Sequence, residues 1–530
     1  MTGYGNMGST IFLPSVCDMV HVSTLEQRRM SLQANLDAAK TKAERNRLGQ
    51  FATPTVLARE ILQFGVGLLK ANLPVRFLDP ALGTGSFFSA LLHAVAPDRI
   101  ESAKGYELDT RYIYPARFLY QETSLDIVSG DFTRAIAPLD EKERFNLLIC
   151  NPPYVRHHHI VNSEKDRLRH AAEVTCGMHI TGLAGLYCYF LCLSHAWLMR
   201  GAVSGWLIPS EFMDVNYGTA IKQYLLDKVT LLRIHRFDPN EVQFDDALVS
   251  SAIVWFRNDP SPANQRVEFT FGGSLLSPTL TRAIDSQTLR EESKWTRFPN
   301  SGIRKQGTHL RLSDLFTIKR GIATGDNAFF ILSTEQIKKY ELPPEVFRPI
   351  LPSPRYVKAL EIIATTDGLP QISRPLFLLD CRLQEEDIHD KYPTLWKYLE
   401  KGRDIVSSRY LCRSRKVWYS QELRPPAPIL FTYMGRQHKD NGLSFRFILN
   451  HSQAVAANVY LLLYPKPPLA KLLAKDSTMM RRLWQALNAI PARTLVDEGR
   501  VYGGGLYKLE PKELGNVAAT SISEAVPIEI

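Results

Sequence analysis

Short apolar runs alternate with helical stretches between residues 75 and 257, and this alternation constrains the fold more than any other feature of the chain. Strand–helix alternation favours a mostly parallel sheet with helices on both faces, and ligands bind beyond the carboxyl ends of such strands. The residues that follow each strand therefore indicate function. Strands are predicted at Val75–Leu78, Ala103–Glu107, Ile127–Ser129, Phe145–Cys150, Val203–Ile208, Leu231–Arg236 and Ser251–Arg257, with a helix at Ser86–Val95.

The segments on either side of this region have a different character. Residues 24–47 carry leucines at helical spacing among charged neighbours. Thr53-Pro54 is predicted to begin a second helix that reaches about Lys70, with the threonine as its cap and the proline in its first turn. After about residue 258 the alternation ends and prolines cluster. We therefore predict a helical extension at 1–48, an α/β domain at 49–260 and an α+β domain at 261–530.

Three strand ends carry groups that suit an adenosine-bearing cofactor. The first strand is followed by a glycine-rich loop, Asp79 to Gly85, in which glycines let the backbone approach a ligand closely. The next helix offers free N–H groups to an anion, although Phe88 breaks the usual dinucleotide fingerprint. Glu107 after the second strand suits the two hydroxyls of a ribose. Asp131 and Phe132 after the third strand suit the amine and the face of an adenine.

The strongest functional signal follows the fourth strand, where the sequence reads Asn151-Pro152-Pro153-Tyr154. Two prolines leave no backbone N–H and hold the chain in an extended turn. The amide oxygen of Asn151 and the carbonyl of Pro152 can then accept hydrogen bonds from one exocyclic amine on a planar base, with Tyr154 beside it. Such an amine is a poor nucleophile, and two acceptors favour its attacking form. Alignment of the amine with an activated methyl group supplies the remaining rate enhancement, so neither a metal nor a covalent nucleophile is needed.

Metal and membrane sites are not predicted. His157-His158-His159 consists of consecutive residues, which do not easily converge on one ion, so we interpret it as a loop that faces the substrate. The seven cysteines include no CxxC pair, which argues against structural zinc and for a reduced, cytoplasmic protein. The N-terminus does not resemble a signal peptide. The apolar stretch at 182–199 is shorter than a usual membrane span of about 20 residues, so it predicts a buried helix or helix–strand pair.

Positive charge is concentrated in the second half of the chain. The net charge is +10; residues 1–257 hold 26 basic and 26 acidic residues, whereas residues 258–530 hold 38 and 28. Residues 401–450 alone hold 10 basic and 3 acidic residues. Clustered positive charge interleaved with aromatic residues indicates a polyanionic partner, the alternative being a solvated basic surface. The candidate contacts are Arg409, Arg413, Arg415 and Lys416.

In their order along the chain, these motifs resemble the gamma class of amino-group DNA methyltransferases from restriction–modification systems. Those proteins carry a Thr-Pro motif, a glycine-rich loop, an acid, Asp-Phe, NPPY and then a basic target-recognition domain. Gln50 to Pro54 resembles the first motif, with Ala52 where a second aromatic is common. Val242-Gln243-Phe244, the stretch 321–330 and the stretch 500–509 resemble later features, so the similarity covers about residues 50–515.

The resemblance implies a Rossmann-like methyltransferase domain that uses S-adenosylmethionine, followed by a target-recognition domain. It implies methylation of N6 of an adenine flipped out of double-stranded DNA, by a cytoplasmic, nucleoid-associated monomer that acts separately from a possible cognate restriction endonuclease. The catalytic residues would be Asn151, Pro152, Pro153 and Tyr154, and Tyr154 and Phe244 would bind the base. The cofactor would contact Thr53, Asp79, Ala81, Gly83, Gly85, Glu107, Asp131, Phe132 and Asn151.

Other functions are compatible with parts of the sequence. Cytosine-N4 methylation is the main alternative, although its enzymes more often replace the asparagine with serine or aspartate. NPPY also occurs in methyltransferases that act on RNA or on protein glutamine, but these rarely carry a second half with all the net charge. A non-catalytic DNA-specificity module would not need the intact Asn151–Tyr154 motif. A fused nuclease domain is not expected in the 52 residues before Thr53.

Overall fold

A computed structural model describes residues 16–238, 250–299, 310–438, 442–443, 445–476, 478–502 and 506–526. The chain divides into two compact units. The first comprises residues 1–305 with 502–504, and the second comprises residues 306–501 with 505–530.

A nine-stranded sheet forms the centre of the first unit, in the order β3-β2-β1-β4-β5-β7-β6-β8-β9. The five strands from β3 to β5 are parallel to one another, and β7 runs antiparallel between β5 and β6. The predicted α/β fold with a mostly parallel sheet is confirmed. The strands are β1 (Val75–Asp79), β2 (Ile100–Glu107), β3 (Leu125–Ser129), β4 (Phe145–Cys150), β5 (Leu198–Pro209), β6 (Thr230–Arg236), β7 (Ser251–Arg257), β8 (Arg266–Gly273) and β9 (Pro278–Asp285).

Both faces of the central strands are apolar, which explains why these strands appear as continuous hydrophobic runs. Successive side chains of a strand point to opposite faces. Phe77, Leu147 and Trp255 belong to one buried cluster, and their neighbours Leu78, Leu148 and Phe256 belong to another. Alternate residues of β1, β4 and β7 thus supply two cores, one on each side of the sheet.

Helices occupy the connections between these strands. The predicted helix at 24–47 is two helices, α1 and α2, and the stretch at 182–199 forms α7, a 3-10 turn and the start of β5, as predicted. The helix predicted to begin at Thr53 begins at Thr55, and Pro54 precedes it without a side-chain cap. The helices are α1 (Val16–Ala38), α2 (Lys42–Leu48), α3 (Thr55–Gly67), α4 (Ser86–Ala94), α5 (Thr110–Leu119), α6 (Asn162–Cys176), α7 (Leu186–Leu193), α8 (Thr219–Asp227) and α9 (Ser286–Glu291).

The sheet continues past residue 260, where the sequence analysis placed the start of the second domain. β8 pairs with β6 in parallel and β9 pairs with β8 in antiparallel orientation, so both strands extend the first unit. Most side chains of β9 are exposed, as befits an edge strand without an apolar pattern. Because this edge is polar, the apolar strand pattern in the sequence ends near residue 260 although the sheet continues to β9.

The second unit combines small sheets with short helices. Its sheets have the orders β10-β20-β15-β18-β13, β11-β14-β12-β19 and β17-β16-β22-β21. The strands are β10 (Phe316–Arg320), β11 (Ile331–Ser333), β12 (Phe347–Leu351), β13 (Glu361–Ile362), β14 (Leu376–Leu379), β15 (Ile429–Thr432), β16 (Met434–His438), β17 (Gly442–Leu443), β18 (Phe447–Asn450), β19 (Val455–Ala456), β20 (Tyr460–Pro465), β21 (Arg500–Tyr502) and β22 (Leu506–Lys508). The helices are α10 (Leu312–Leu315), α11 (Asn327–Phe330), α12 (Thr334–Lys339), α13 (Glu385–Lys391), α14 (Pro393–Glu400), α15 (Tyr410–Arg413), α16 (Pro467–Lys475), α17 (Met479–Asn488), α18 (Ala492–Glu498), α19 (Pro511–Gly515) and α20 (Thr520–Ala525).

Within the described parts of the chain, no helix combines the length and the apolar character needed to cross a bilayer. The same residues contain no cluster of three or more histidine, cysteine, aspartate or glutamate side chains that could hold a metal ion.

Candidate active site

Three of the predicted site residues lie at the carboxyl ends of the parallel strands of the first unit. β1 and β4 are neighbours in the sheet although two strands separate them in sequence, so the direction of the crossovers reverses between them. Crevices at such reversal points are the usual ligand sites of parallel sheets. Asp79 ends β1, Glu107 ends β2, and Asn151 directly follows β4.

The glycine-rich loop is fixed from both sides. The backbone N–H of Gly83 donates to Glu107 Oε2 over 2.9 Å, and the hydroxyl of Tyr120 donates to the carbonyls of Thr84 and Gly85 over 3.1 Å each. Gly85 has a φ of +81°, and a Cβ there would lie 2.8 Å from the Tyr120 ring. Glycine is therefore required by the loop conformation and by the close approach of Tyr120.

Asp79 is buried beneath this loop, which argues against the direct cofactor contact predicted for it. Its Oδ1 accepts a hydrogen bond from the backbone N–H of Ala81, and the residue is 1% exposed. Burial raises the pKa of the Asp79 carboxyl to about 7, despite the hydrogen bond from Ala81. The side chain supports the turn at Ala81.

The acid after β2 remains partly accessible. Glu107 accepts hydrogen bonds from the backbone N–H groups of Gly83, Leu108 and Asp109. Burial raises the pKa of its carboxyl. Leu108 beside it is 70% exposed, an unusual position for a large apolar side chain at a strand end. Leu108 was not predicted from the sequence, in which its position directly after the acid is the signal that points to it.

Asp131 and Phe132 have different surroundings. Asp131 Oδ1 accepts hydrogen bonds from the backbone N–H and the hydroxyl of Thr133. The Phe132 ring is 2% exposed and packs against Tyr106 and Trp197 with centroids 5.4 Å away in each case. This burial makes Phe132 an anchor of the loop, whereas the partly exposed Asp131 keeps oxygen atoms near the strand end.

The side-chain amide of Asn151 is held in one orientation by the segment before α3. Its Nδ2 donates to the carbonyl of Phe51 over 2.9 Å and lies 3.1 Å from the hydroxyl oxygen of Thr53. Because a carbonyl only accepts hydrogen bonds, the atom facing Phe51 must be the amide nitrogen. The other amide atom, Oδ1, is buried without a hydrogen-bond partner among the described residues. Thr53, predicted as a helix cap, orients Asn151 instead.

The rest of the motif is also fixed by residues 49–51. The backbone N–H of Tyr154 donates to the Gly49 carbonyl over 3.1 Å, and the Tyr154 hydroxyl donates to the Leu207 carbonyl over 3.0 Å. Gly49 has a φ of +66°, and a Cβ there would lie 2.4 Å from the Tyr154 nitrogen. The rings of Phe51 and Tyr154 have centroids 5.7 Å apart.

Pro152 is buried and Pro153 half-buried within the same motif. Phe244, predicted to stack on the base, lies outside the described residues, as do Val242 and Gln243.

In the second unit, the four predicted DNA contacts fall into two pairs. Arg409 forms an ion pair with Asp326 at 3.0 Å and donates to the Gly325 carbonyl. Arg415 donates to the carbonyls of Ala323 and Thr324 over 2.8 and 2.9 Å. Both arginines thus hold the loop at 323–326.

The other two candidates, Arg413 and Lys416, are exposed, as is Arg409. Tyr410, at the start of the same short helix α15, is 74% exposed. This part of the basic segment is therefore accessible to a partner.

These residues fit S-adenosylmethionine. The glycine-rich loop has two left-handed glycines, and the space next to Gly83 is open in the described structure. Carboxylates at the ends of β2 and β3 suit the ribose hydroxyls and the adenine amine, and the exposed Leu108 suits an adenine face. The unpartnered oxygen of Asn151 suits a hydrogen-bond donor on a substrate.

Comparison with known families matches both halves of the chain. Residues 101–243 match the Eco57I restriction-modification methylase family. Residues 300–528 match the C-terminal domain of the type II methyltransferase M.Eco57I.

Individual relatives agree with these matches. The type II methyltransferase M.XamI of Xanthomonas campestris pv. amaranthicola is 28% identical over 90% of this chain and 86% of its own. M.AccI of Acinetobacter calcoaceticus is 26% identical over 91% of this chain and 87% of its own.

The fold also has a solved counterpart. The cryo-EM structure of the DrdV–DNA complex is similar with a TM-score of 0.50 at 13% identity, over 89% of this chain. The match spans only 56% of the length of that DrdV chain. It supports the fold alone.

Over most of its length the chain is therefore similar to type II methyltransferases of restriction–modification systems, with an Eco57I methylase region at 101–243 and a region like the M.Eco57I C-terminal domain at 300–528, and S-adenosylmethionine is its cofactor.

Proposed function

We propose that the protein is a site-specific adenine-N6 methyltransferase that acts on double-stranded DNA. The observation that carries this proposal is the orientation of Asn151. Its amide nitrogen is committed to Phe51 and Thr53, and its Oδ1 is buried without a partner in the described structure. A buried acceptor without a donor is unfavourable by about 1–3 kcal/mol, so the site is complete only when a substrate N–H reaches it.

The chemistry follows from this acceptor. An exocyclic amine conjugated with a ring has little lone-pair density to offer. As the amine attacks, it becomes tetrahedral and gains positive charge, and its N–H groups become stronger donors. Asn151 Oδ1 and the Pro152 carbonyl would then bind the developing cation more tightly than the neutral amine. An interaction that strengthens towards the transition state raises the rate of the chemical step.

S-adenosylmethionine, when bound, supplies a methyl group on a sulfonium centre. In this proposal Glu107 and Asp131 would hold its nucleoside, Leu108 would contact the adenine, and the loop at Ala81–Gly85 would bind the remainder of the molecule. Asp79 and Phe132 support the loops that carry these contacts, since both are buried. Thr53 is proposed to contact the cofactor, and its hydroxyl also orients the Asn151 amide at the base site.

The target base must leave the helix before it can reach Asn151. Extrusion of a paired base is unfavourable by a few kcal/mol, and stacking in the pocket offsets part of this. Tyr154 is a candidate for one face of the base, with its hydroxyl fixed at Leu207. We assign the other face to Phe244 on the family resemblance alone.

Sequence recognition is assigned to the second unit. Arg413 and Lys416 are the candidates for direct DNA contact because both are exposed and neither is one of the two arginines that hold the loop at 323–326. Arg409 and Arg415 would act indirectly, by holding the loop at 323–326. As in a type II system, modification of a short fixed sequence by a cytoplasmic monomer would protect host DNA from a separate nuclease.

The decisive experiment identifies the methylated product. The purified protein is incubated with unmethylated duplex DNA and S-adenosylmethionine, and the nucleosides are separated by mass spectrometry. We expect N6-methyladenine in one short sequence. N4-methylcytosine as the only product would replace adenine with cytosine, and methylation of RNA or protein but not DNA would overturn the proposal.

The role of Asn151 is tested on the same substrate. Asn151→Ala should lower kcat by about 100- to 1000-fold, the usual effect of losing one preorganised partner, while S-adenosylmethionine still binds. Asn162→Ala, at an exposed asparagine in the following helix, is the matched control and should leave kcat unchanged.

A further inference from the structure

Helix α1 contains a buried ion pair that contacts two segments of the cofactor site. Arg29 donates to both carboxylate oxygens of Glu26 over 2.7 Å each. It also donates to the hydroxyls of Thr84 and Ser86 over 3.1 and 3.0 Å, and to that of Thr55 over 3.0 Å. A guanidinium has five N–H groups, and these five bonds use all of them.

Glu26 completes the network. Its two oxygens also accept hydrogen bonds from the hydroxyls of Thr55 and Ser89, each over 2.5 Å. Burial disfavours its charge, but the hydrogen bonds from Arg29, Ser89 and Thr55 outweigh burial and lower the pKa of the carboxyl to about 2. Glu26 is therefore ionised and paired with Arg29 at neutral pH.

A second buried cation lies just after the end of the same helix. Lys40 Nζ lies 2.5 Å from Gln50 Oε1 and 2.8 Å from Asp109 Oδ2, and 4.4 Å from the centre of the Tyr112 ring. The Lys40 side chain is 2% exposed. Gln50 precedes the segment that holds Asn151, and Asp109 follows two residues after the acid at the end of β2.

These contacts bracket the short segment 51–53 from both ends. Lys40 binds Gln50 on one side and Arg29 binds Thr55 on the other, while Phe51 and Thr53 hold the Asn151 amide between them. Arg29 also binds Thr84 in the glycine-rich loop, and Lys40 also binds Asp109, which lies two residues after the acid at the end of β2. Apolar residues of similar size would pack α1 equally well, because desolvation of buried charges cancels much of their attraction.

We infer that Arg29 and Lys40 are positioning residues that align the 50–55 segment with the glycine-rich loop and the end of β2, and so set the affinity for S-adenosylmethionine. This inference rests on the proposed use of that cofactor and assigns a function to a helix that the sequence analysis treated as an extension. Neither residue is proposed to touch the cofactor.

The test uses substitutions that keep the charge or the volume of each side chain but remove its hydrogen bonds. Arg29→Lys keeps the charge opposite Glu26 but cannot form five hydrogen bonds at once. Lys40→Met keeps the stem over Tyr112 and loses both polar contacts. Each should raise the dissociation constant for S-adenosylmethionine about 10-fold, because two or more charge-assisted hydrogen bonds are lost. Titration calorimetry with S-adenosylmethionine alone measures this without turnover.

Matched controls and a second ligand separate positioning from stability. Arg28→Lys and Lys70→Met make the same changes at exposed sites and should bind the cofactor like the wild type. Affinity for duplex DNA without cofactor should be unchanged in all four variants. Lys40→Arg, which retains a cation within reach of Gln50 and Asp109, should restore most of the cofactor affinity.

The outcomes discriminate between the explanations. A lower melting temperature with unchanged affinity for S-adenosylmethionine in both Arg29→Lys and Lys40→Met overturns the inference and leaves the proposed function intact. A wild-type protein that does not bind S-adenosylmethionine defeats the proposed function itself. If Arg29→Lys does not fold, the Lys40→Met and Lys40→Arg pair decides the question.

Discussion

The orientation of Asn151 can be tested at Thr53, a residue that does not need to touch the base. Thr53→Val preserves the shape of a buried side chain and removes the hydroxyl that lies 3.1 Å from Asn151 Nδ2. The Phe51 carbonyl, at 2.9 Å, remains to hold the amide. One hydrogen bond of this kind contributes about 1 kcal/mol, or somewhat more when a buried N–H is left without a partner. We therefore expect kcat to fall about 5- to 10-fold, since 1.4 kcal/mol corresponds to a factor of ten.

Single-turnover methylation at saturating cofactor measures this effect without interference from product release. Thr53→Ser is the matched control, because it keeps the hydroxyl and should stay within about two-fold of the wild type. A valine variant with wild-type kcat would refute the orientation argument. A serine variant that loses as much as valine would show that packing of the methyl group, not the hydroxyl, is what matters.

Three further predictions concern the base, the DNA and the cofactor loop. Phe244→Ala should lower activity on paired DNA more than on DNA with a mismatched target, because extrusion from a mismatch is easier; equal losses in the two methylation assays would argue against stacking. Replacing Arg413 and Lys416 together by serine should weaken DNA binding and flatten its salt dependence by about two phosphate contacts, as read from anisotropy titrations; an unchanged slope would exclude both residues from the interface. Asp79→Asn should gain stability relative to the wild type as pH rises from 5 to 8. A carboxyl whose pKa is raised to about 7 binds its proton more tightly when folded, so its contribution to stability is lost as pH rises through that range. Between pH 5 and the folded pKa of about 7 lie about two pH units, so the difference has an upper limit of about 3 kcal/mol at about 1.4 kcal/mol per unit, and parallel melting temperatures at the two pH values would contradict it.

The parts of the fold that depend on local pattern could be predicted from the sequence. β4 and β7 have the predicted bounds, Phe145–Cys150 and Ser251–Arg257. Both are short apolar runs buried on both faces, so the pattern ends where burial ends. Helix α5 was not predicted, because it contains Pro115 and leaves two large apolar side chains, Tyr114 and Phe118, exposed.

The site residues at the strand ends could be predicted from the sequence, but the residues that orient them could not. Asp79, Glu107 and Asn151 were identified because each follows a predicted strand. The hydrogen bond between Thr53 and Asn151 joins residues 98 positions apart, and no local pattern encodes it. Because this hydrogen bond cannot be inferred from the sequence, Thr53-Pro54 suggested a helix cap, which is the more common use of threonine before a proline. Phe132 was assigned to the cofactor because sequence does not distinguish an exposed ring from one buried against Tyr106 and Trp197.

The structure separates exposed arginines from arginines committed to internal hydrogen bonds, a distinction that the sequence does not contain. Arg28 and Arg29 are adjacent, yet one is exposed and the other forms five buried hydrogen bonds. Arg413 and Arg415 differ in the same way, since Arg413 is exposed and Arg415 holds backbone carbonyls. A residue committed to carbonyls still adds to the positive potential that attracts DNA from a distance. If such a residue meets no phosphate, it releases no counterion when DNA binds. We therefore expect the charge excess after residue 257 to raise the rate of encounter with DNA, and the smaller set of cations that meet phosphates to decide how affinity depends on salt.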